Sequence, residues 1–329
     1  MKSGEARHGD LNAVPEIAAA DDKIMVLQQI WVSPDGTIEA PSSSRWPTLV
    51  NGQLVPVIKM RPGEMQRWRL VHAGVNENLV LSLDDHPLAE VAADGISLGR
   101  RVDWPTLDPA NAYSRADALF LAPGYRSDVL VLISTDAQPG DSFHLRQHRL
   151  SPDESIIELT AGIDAAVRES LGLEADVTPG DLALGQQILV RIEIEGDPED
   201  MPLPDDATLA PVVPAELVEI TQAEIDATMA IDPTANRDIV LAIDSRACDA
   251  VTGECIPCPP GTNCRLAFMV NDKQFTMMNG IAPLNLRTGG EWTASEWTVS
   301  TGGFPMTHPF HIHVNPFQVL RVEPDGVAR

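Results

Sequence analysis

The stretch EWTVSTGGFPMTHPFHIHVNPF, residues 296–317, lies without a gap under RWRLVHAGVNENLVLSLDDHPL, residues 67–88. Trp297 meets Trp68, Gly303 meets Gly74 and Pro316 meets Pro87. Upstream, Val270-Asn271-Asp272 echoes Val50-Asn51-Gly52, and Gly290-Glu291 echoes Gly63-Glu64 after a small insertion. Downstream, Asp325-Gly326 echoes Asp94-Gly95. Self-similarity on this scale marks one structural unit used twice. The chain is therefore expected to carry two copies of one domain, the second cut short.

What the repeated unit is follows from its periodicity. KIMVLQQIWV (23–32), QLVPVIKM (53–60), QRWRLVHA (66–73), ENLVLSL (77–83), PLAEVAA (87–93), ADALFLA (116–122) and SDVLVLIS (127–134) are short apolar or alternating runs. Turn signals such as SPDG (33–36) and RPGE (61–64) separate them. Strands of this length and spacing predict a β-sandwich. QQILVRIEIEG (186–196) returns to the sheet after a mixed acidic excursion at 152–181, and RDIVLAIDS (237–245), FMVNDKQFTM (268–277), SEWTVS (295–300) and FQVLRVE (317–323) are the strands of the second copy. The expected organisation is a disordered tail at 1–20, a first domain at 21–204, an acidic Pro-rich linker at 205–236 with a short helix near 215–230, and a second domain at 237–329.

Composition narrows the partners. The formal charge of −25 repels phosphate backbones and anionic lipid, so nucleic acid is excluded as a default partner. No apolar run is long enough to span a membrane, and the polar N-terminus lacks a signal-peptide core. All four cysteines, Cys248, Cys255, Cys258 and Cys264, fall within one Pro- and Gly-rich stretch. Two local disulfides and an oxidising compartment are the favoured reading; a four-thiolate zinc site using Cys255-x-x-Cys258 is the alternative.

Three of the chain's eight histidines stand at H-x-x-H-x-H spacing: His308, His311 and His313. Across the repeat they face Leu79, Ser82 and Asp84, so they are additions to a shared scaffold rather than requirements of it. Along a strand, residues two apart point the same way. His311 and His313 share a face and His308 looks elsewhere, which predicts two metal centres rather than one. Neutral imidazole suits copper, zinc, iron or nickel. His144 and His148 are four apart on another predicted strand and share a face, but are weaker ligand candidates. His8 lies in the tail, and His72 and His86 are expected at turns or on the surface.

HPFHIHVNPFQVL (308–320) resembles the third-domain copper motif of multicopper oxidases, the family of laccases and bilirubin oxidases. VNGQLVPVIKMRPGEMQRWRLVHAG, LDDHPLAEVAADG and LAPGYRSDVLV resemble that family's ligand-free middle domain. The resemblance covers 21–204 and 237–329. It implies an all-β fold of two cupredoxin-like Greek-key β-sandwich domains, the second incomplete. It implies copper: a mononuclear blue copper at His308, and a trinuclear cluster at His311 (type 2) and His313 (type 3). It implies a secreted or periplasmic oxidoreductase that oxidises phenolic, amine or metal-ion donors and reduces oxygen to water. Val314-Asn315 replaces the Gly-His that often follows, a position that binds no copper in the family. The H-C-H segment and the first domain with its two H-x-H pairs are absent. The chain thus reads as a fragment with no complete catalytic site, inactive without the missing first domain and C-terminal segment. The alternatives are a non-catalytic copper-binding cupredoxin module and, from a different class, a carbohydrate- or protein-binding pair of sandwiches.

Overall fold

The computed structural model describes residues 10–30, 37, 47–74, 78–108, 111–114, 116–150, 187–214, 220–231, 237–262, 264–274, 287–288, 291–292, 296–303, 310, 312 and 317–321. The chain divides into two compact units, Met1–Glu216 and Leu217–Arg329.

The first unit contains strands β1 (Asp21–Gln29), β2 (Thr48–Val50), β3 (Val57–Met60), β4 (Met65–His72), β5 (Leu79–Leu83), β6 (Leu88–Ala93), β7 (Ile96–Trp104), β8 (Ala112–Tyr113), β9 (Leu119–Leu121), β10 (Arg126–Leu132), β11 (Ser142–Leu150) and β12 (Gln187–Ile194). One sheet has the order β2-β1-β4-β10-β6-β7; the other runs β3-β12-β11-β5-β9, with β8 beside β11. Alternation places Met25, Leu27, Trp68 and Leu70 of the first sheet against Leu79, Leu81, Leu83 and Leu145 of the second, all buried in one core. The sheets are also stitched by buried polar groups. Gln29 Nε2 donates to Thr48 Oγ1 (3.0 Å), Thr48 Oγ1 donates to Gln147 Oε1 (2.8 Å), and Gln187 bonds both backbone groups of Thr48 (2.8 and 2.7 Å).

The expected tail is a packed part of this unit over residues 10–20. Asp10 caps a 3₁₀ turn at Leu11–Ala13, and helix α1 (Pro15–Ala19) starts on a proline. Leu11, Val14 and Ile17 supply the apolar spacing that buries them against Met65, Val91 and Leu130. The expected linker is likewise docked at its start. Helix α2 (Asp206–Leu209) and the 3₁₀ turn after it add Leu209 and Val212 to the same cluster, and Asp206 accepts a hydrogen bond from the Arg101 backbone N–H (2.8 Å). The excursion expected at 152–181 and the turn at 33–36 lie outside the described residues.

The second unit begins with helix α3 (Gln222–Ile231). A capping box opens it: Glu224 accepts from the Thr221 backbone N–H (2.7 Å), and Thr221 Oγ1 accepts from the Glu224 N–H (3.4 Å). The strands are β13 (Arg237–Cys248), β14 (Cys255–Pro257), β15 (Arg265–Val270), β16 (Lys273–Gln274), β17 (Arg287–Thr288), β18 (Glu291–Trp292) and β19 (Trp297–Gly303). The strand expected at 268–277 is instead a hairpin: Asn271 and Asp272 both adopt positive φ and turn β15 into β16. The described residues of the strand expected at 317–323 form no strand, and Phe317, Val319 and Leu320 are exposed.

The repeat is visible in hydrogen bonds. In the first unit Asn51 Oδ1 accepts from the Val26 N–H (2.9 Å), and its Nδ2 donates to the Ile24 carbonyl (2.9 Å). In the second, Asn271 Oδ1 accepts from the Val240 N–H (2.7 Å), and its Nδ2 donates to the Asp238 carbonyl (3.0 Å). Both asparagines have φ near +50°. Val50 pairs with Leu27 as Val270 pairs with Leu241, and parallel β1–β4 places Lys23 beside Trp68 as parallel β13–β19 places Arg237 beside Trp297. The shared framework is thus a clasped hairpin strand plus a parallel strand that carries the tryptophan.

The four cysteines form two disulfides, Cys248–Cys255 and Cys258–Cys264. Strand β14 extends the Cys255-x-x-Cys258 run, so these residues stand roughly 10 Å apart and do not turn together as a zinc knuckle does.

Candidate metal centre and its counterpart in the first unit

His308, His311 and His313 lie outside the described residues, whereas Trp297, Phe310, Ile312, Phe317 and Gln318, near them in sequence, are described. Trp297 opens β19, fixed by its pairing with Arg237. Phe310 packs edge-on to Trp297, with ring centroids 6.3 Å apart at 79°, and edge-on to Phe317, at 5.3 Å and 74°. Gln318 Oε1 accepts from the Ile220 N–H (2.8 Å). Phe310 and Ile312 are half-buried. Among the described residues no group of three His, Cys, Asp or Glu is placed to hold a metal ion.

The first unit shows the same position fully built. The counterparts of Trp297, Phe310 and Phe317 are Trp68, Leu81 and Leu88, all buried in one core cluster. Leu79, Leu81 and Leu83 of β5 point into that core, so Val80 and Ser82 point to the outer face of the sheet. There Val80 packs with Leu107 and Ala118.

Ser82 and Asp84 are the counterparts of His311 and His313, and both are committed to β11. Ser82 Oγ and His148 Nε2 share a hydrogen bond of 2.7 Å. Asp84 accepts from the Arg146 guanidinium (2.7 and 3.2 Å) and lies 3.0 Å from His144 Nδ1. His144 and His148 therefore share one face, as their spacing predicts, and each meets its own polar partner, Asp84 for His144 and Ser82 for His148. Burial alone would raise the Asp84 carboxyl; hydrogen bonds from His144 and Arg146, with the Arg146 charge, outweigh it and hold the pKa at about 2. Burial, then the Arg146 charge, pushes the His148 imidazole down to about 4, against the opposing charges of Asp84 and Asp108. His148 is neutral at physiological pH, and its Nδ1 is buried without a hydrogen-bond partner among the described residues. The Tyr113 ring packs edge-on to it at 5.6 Å.

His72 and His86, expected at turns or on the surface, are both buried. His72 Nδ1 accepts from the Gly74 N–H (3.0 Å). His86 sits at a turn but is locked there: Nδ1 donates to the Asp84 carbonyl (2.8 Å), Nε2 accepts from the Ser134 N–H (3.1 Å), and the ring packs edge-on to Phe143. Each ring accepts from a backbone N–H, a role that local sequence does not reveal.

Residues 33–167 match the multicopper oxidase family profile. The fold is similar to that of a laccase from Pediococcus acidilactici (TM-score 0.50, 19% identity, 92% of this chain and 48% of that one). A multicopper oxidase variant from the hyperthermophile Aquifex aeolicus is also similar (TM-score 0.48, 13% identity, 80% of this chain and 44% of that one). A comparison with curated proteins finds no match. The chain spans less than half the length of these two structures. It is an all-β protein of cupredoxin-like sandwich type that resembles the multicopper oxidases in sequence and in fold.

Proposed function

We propose that this chain is part of a copper-dependent oxidase of the multicopper type. Four one-electron oxidations of a phenolic, amine or metal-ion donor, with four protons, would reduce one oxygen molecule to two waters. The observation that carries this reading is the contrast within the repeat. Trp297, Phe310 and Phe317 align with Trp68, Leu81 and Leu88, and Phe310 packs edge-on to the other two, yet histidines stand where the first unit has Leu79, Ser82 and Asp84.

The donor set fits copper, because imidazole is neutral at pH 7 and of intermediate softness. Bound copper would supply the one-electron chemistry. In this reading His308 serves the mononuclear centre, and His311 and His313 serve the trinuclear one. The remaining ligands have no source among the described residues: all four cysteines are in disulfides, and Ser82, Asp84, His144 and His148 are bonded to one another or to Arg146. We assign them to further polypeptide, a first domain and a C-terminal segment, without which this chain consumes no oxygen. The disulfides support a secreted or periplasmic setting, and among the described residues no helix is long and apolar enough to cross a membrane.

The test is oxygen uptake by the copper-loaded polypeptide extended to supply those ligands, with a phenolic donor. Uptake that disappears in His311→Ala and His313→Ala supports the oxidase. Copper binding without uptake supports the non-catalytic copper-binding module instead.

A further inference from the structure

We propose that Asn51-Gly52 is a self-modification site, where the Asn51 side-chain amide is lost as ammonia at a rate set by how often its clasp on β1 opens. The proposal does not depend on the copper reading.

Residues 50–53 form a tight hairpin turn. The Val50 N–H donates to the Gln53 carbonyl (2.8 Å), and the Gln53 N–H donates to the Val50 carbonyl (3.0 Å). Both central residues have positive φ, +52° at Asn51 and +77° at Gly52, and both are exposed. A Cβ built on Gly52 would meet nothing within 4 Å, so neither a side chain nor a neighbour shields the Gly52 nitrogen. Attack of that nitrogen on Asn51 Cγ closes a five-membered succinimide. The new N–Cγ bond replaces the Cγ–Nδ2 bond, and ammonia leaves with the Gly52 amide proton. Water then opens the ring at either carbonyl, leaving aspartate or isoaspartate at 51. Water enters, ammonia leaves and nothing is oxidised or reduced.

The fold restrains this chemistry. Asn51 Oδ1 accepts from the Val26 N–H (2.9 Å), Nδ2 donates to the Ile24 carbonyl (2.9 Å), and the Asn51 N–H donates to the Val26 carbonyl (2.9 Å). An amide held at both ends by β1 cannot swing its carbon onto the next nitrogen, so ring closure waits for the clasp to open. Afterwards the clasp does not close again. Aspartate keeps the acceptor for Val26 but has lost the donor to the Ile24 carbonyl, and it sets oxygen against oxygen. Isoaspartate also lengthens a two-residue loop whose length fixes the Leu27–Val50 register. Thr48, which carries the buried bonds to Gln147 and Gln187, lies on the same short strand as Val50. The second unit supplies the contrast. Asn271 makes the same clasp, but Asp272 follows it, also at positive φ. The Asp272 Cβ crowds the backbone nitrogen, and its negative charge opposes loss of the proton from that N–H.

The experiment ages the 329-residue chain at mildly alkaline pH and maps its peptides by mass spectrometry, with enzymatic methyl transfer to isoaspartate as a second readout. Asn51 should convert to aspartate and isoaspartate while Asn271 stays intact. In guanidinium chloride, where the clasp is open, conversion at Asn51 should run faster by on the order of tenfold or more. Gly52→Asp should suppress the reaction, and Asp272→Gly should start it at Asn271. Each swap installs the residue that the counterpart turn already holds at positive φ, and circular dichroism reports that the variants are folded. Absence of conversion at Asn51 in the folded chain overturns the proposal. Equal rates with and without guanidinium overturn it too, as does equal conversion at Asn51 and Asn271 in the wild type.

Discussion

Asn51 and Asn271 show how one side chain can hold a repeat together. Each occupies a left-handed turn position and closes two backbone hydrogen bonds to the neighbouring strand. Removing such a side chain strands a backbone donor and acceptor and also strains the positive φ. Asn51→Ala and Asn271→Ala are each expected to cost about 2–3 kcal/mol, read by chemical denaturation of the chain. At His148 the expectation concerns pH. The folded state keeps this imidazole neutral down to about 4, against 6.5 for the free group. Between those values the unfolded chain binds more protons, so stability falls as pH drops from 6.5 toward 4, by about 3 kcal/mol in all. Asp84 has the carboxylate pattern: its stabilisation, complete above 3.8, is lost as pH falls toward about 2. Thermal unfolding against pH checks both, and His148→Leu should flatten the upper window.

Among the elements, the strands were the most legible and the covers the least. β1, β4, β5, β6, β9, β10, β12, β13 and β19 coincide with apolar or alternating runs, because a strand with a buried face must alternate. The hairpin at Asn271-Asp272 was hidden inside an apparently continuous strand, although the echo of Asn51-Gly52 marked it. Residues 10–20 read as a tail because they are short, small and polar between Leu11, Val14 and Ile17; only the tertiary cluster shows those three as an anchor. Ile17→Ala should therefore cost about 2–4 kcal/mol in thermal or chemical unfolding, where a true tail would show nothing. At the 61–64 turn, Gly63 has φ +71°, and an added Cβ would overlap the Glu199 carbonyl oxygen. Gly63→Ala is expected to destabilise the first unit by more than about 1 kcal/mol, through both the φ and the overlap.

At the level of the molecule, two units share a clasp and a parallel tryptophan strand but differ in sequence at the positions of Leu79, Ser82 and Asp84, where the second has His308, His311 and His313. The first unit fills the counterpart positions with Ser82 and Asp84 and bonds them to His148, His144 and Arg146. That network was illegible from the sequence, because its members lie some sixty residues apart and meet only through the β5–β11 pairing. The repeat and the H-x-x-H-x-H spacing, by contrast, were legible, since the first needs only two stretches laid side by side and the second only one. The central proposal is that His308, His311 and His313, which stand where the first unit has Leu79, Ser82 and Asp84, bind copper in two separate roles. Calorimetric titration of Cu²⁺ into the 329-residue chain, with His308→Ala, His311→Ala and His313→Ala in parallel, tests it most directly. The account predicts two classes of site: His308→Ala removes one, while His311→Ala and His313→Ala each remove the other. No copper affinity, or a single class abolished equally by all three substitutions, would contradict it.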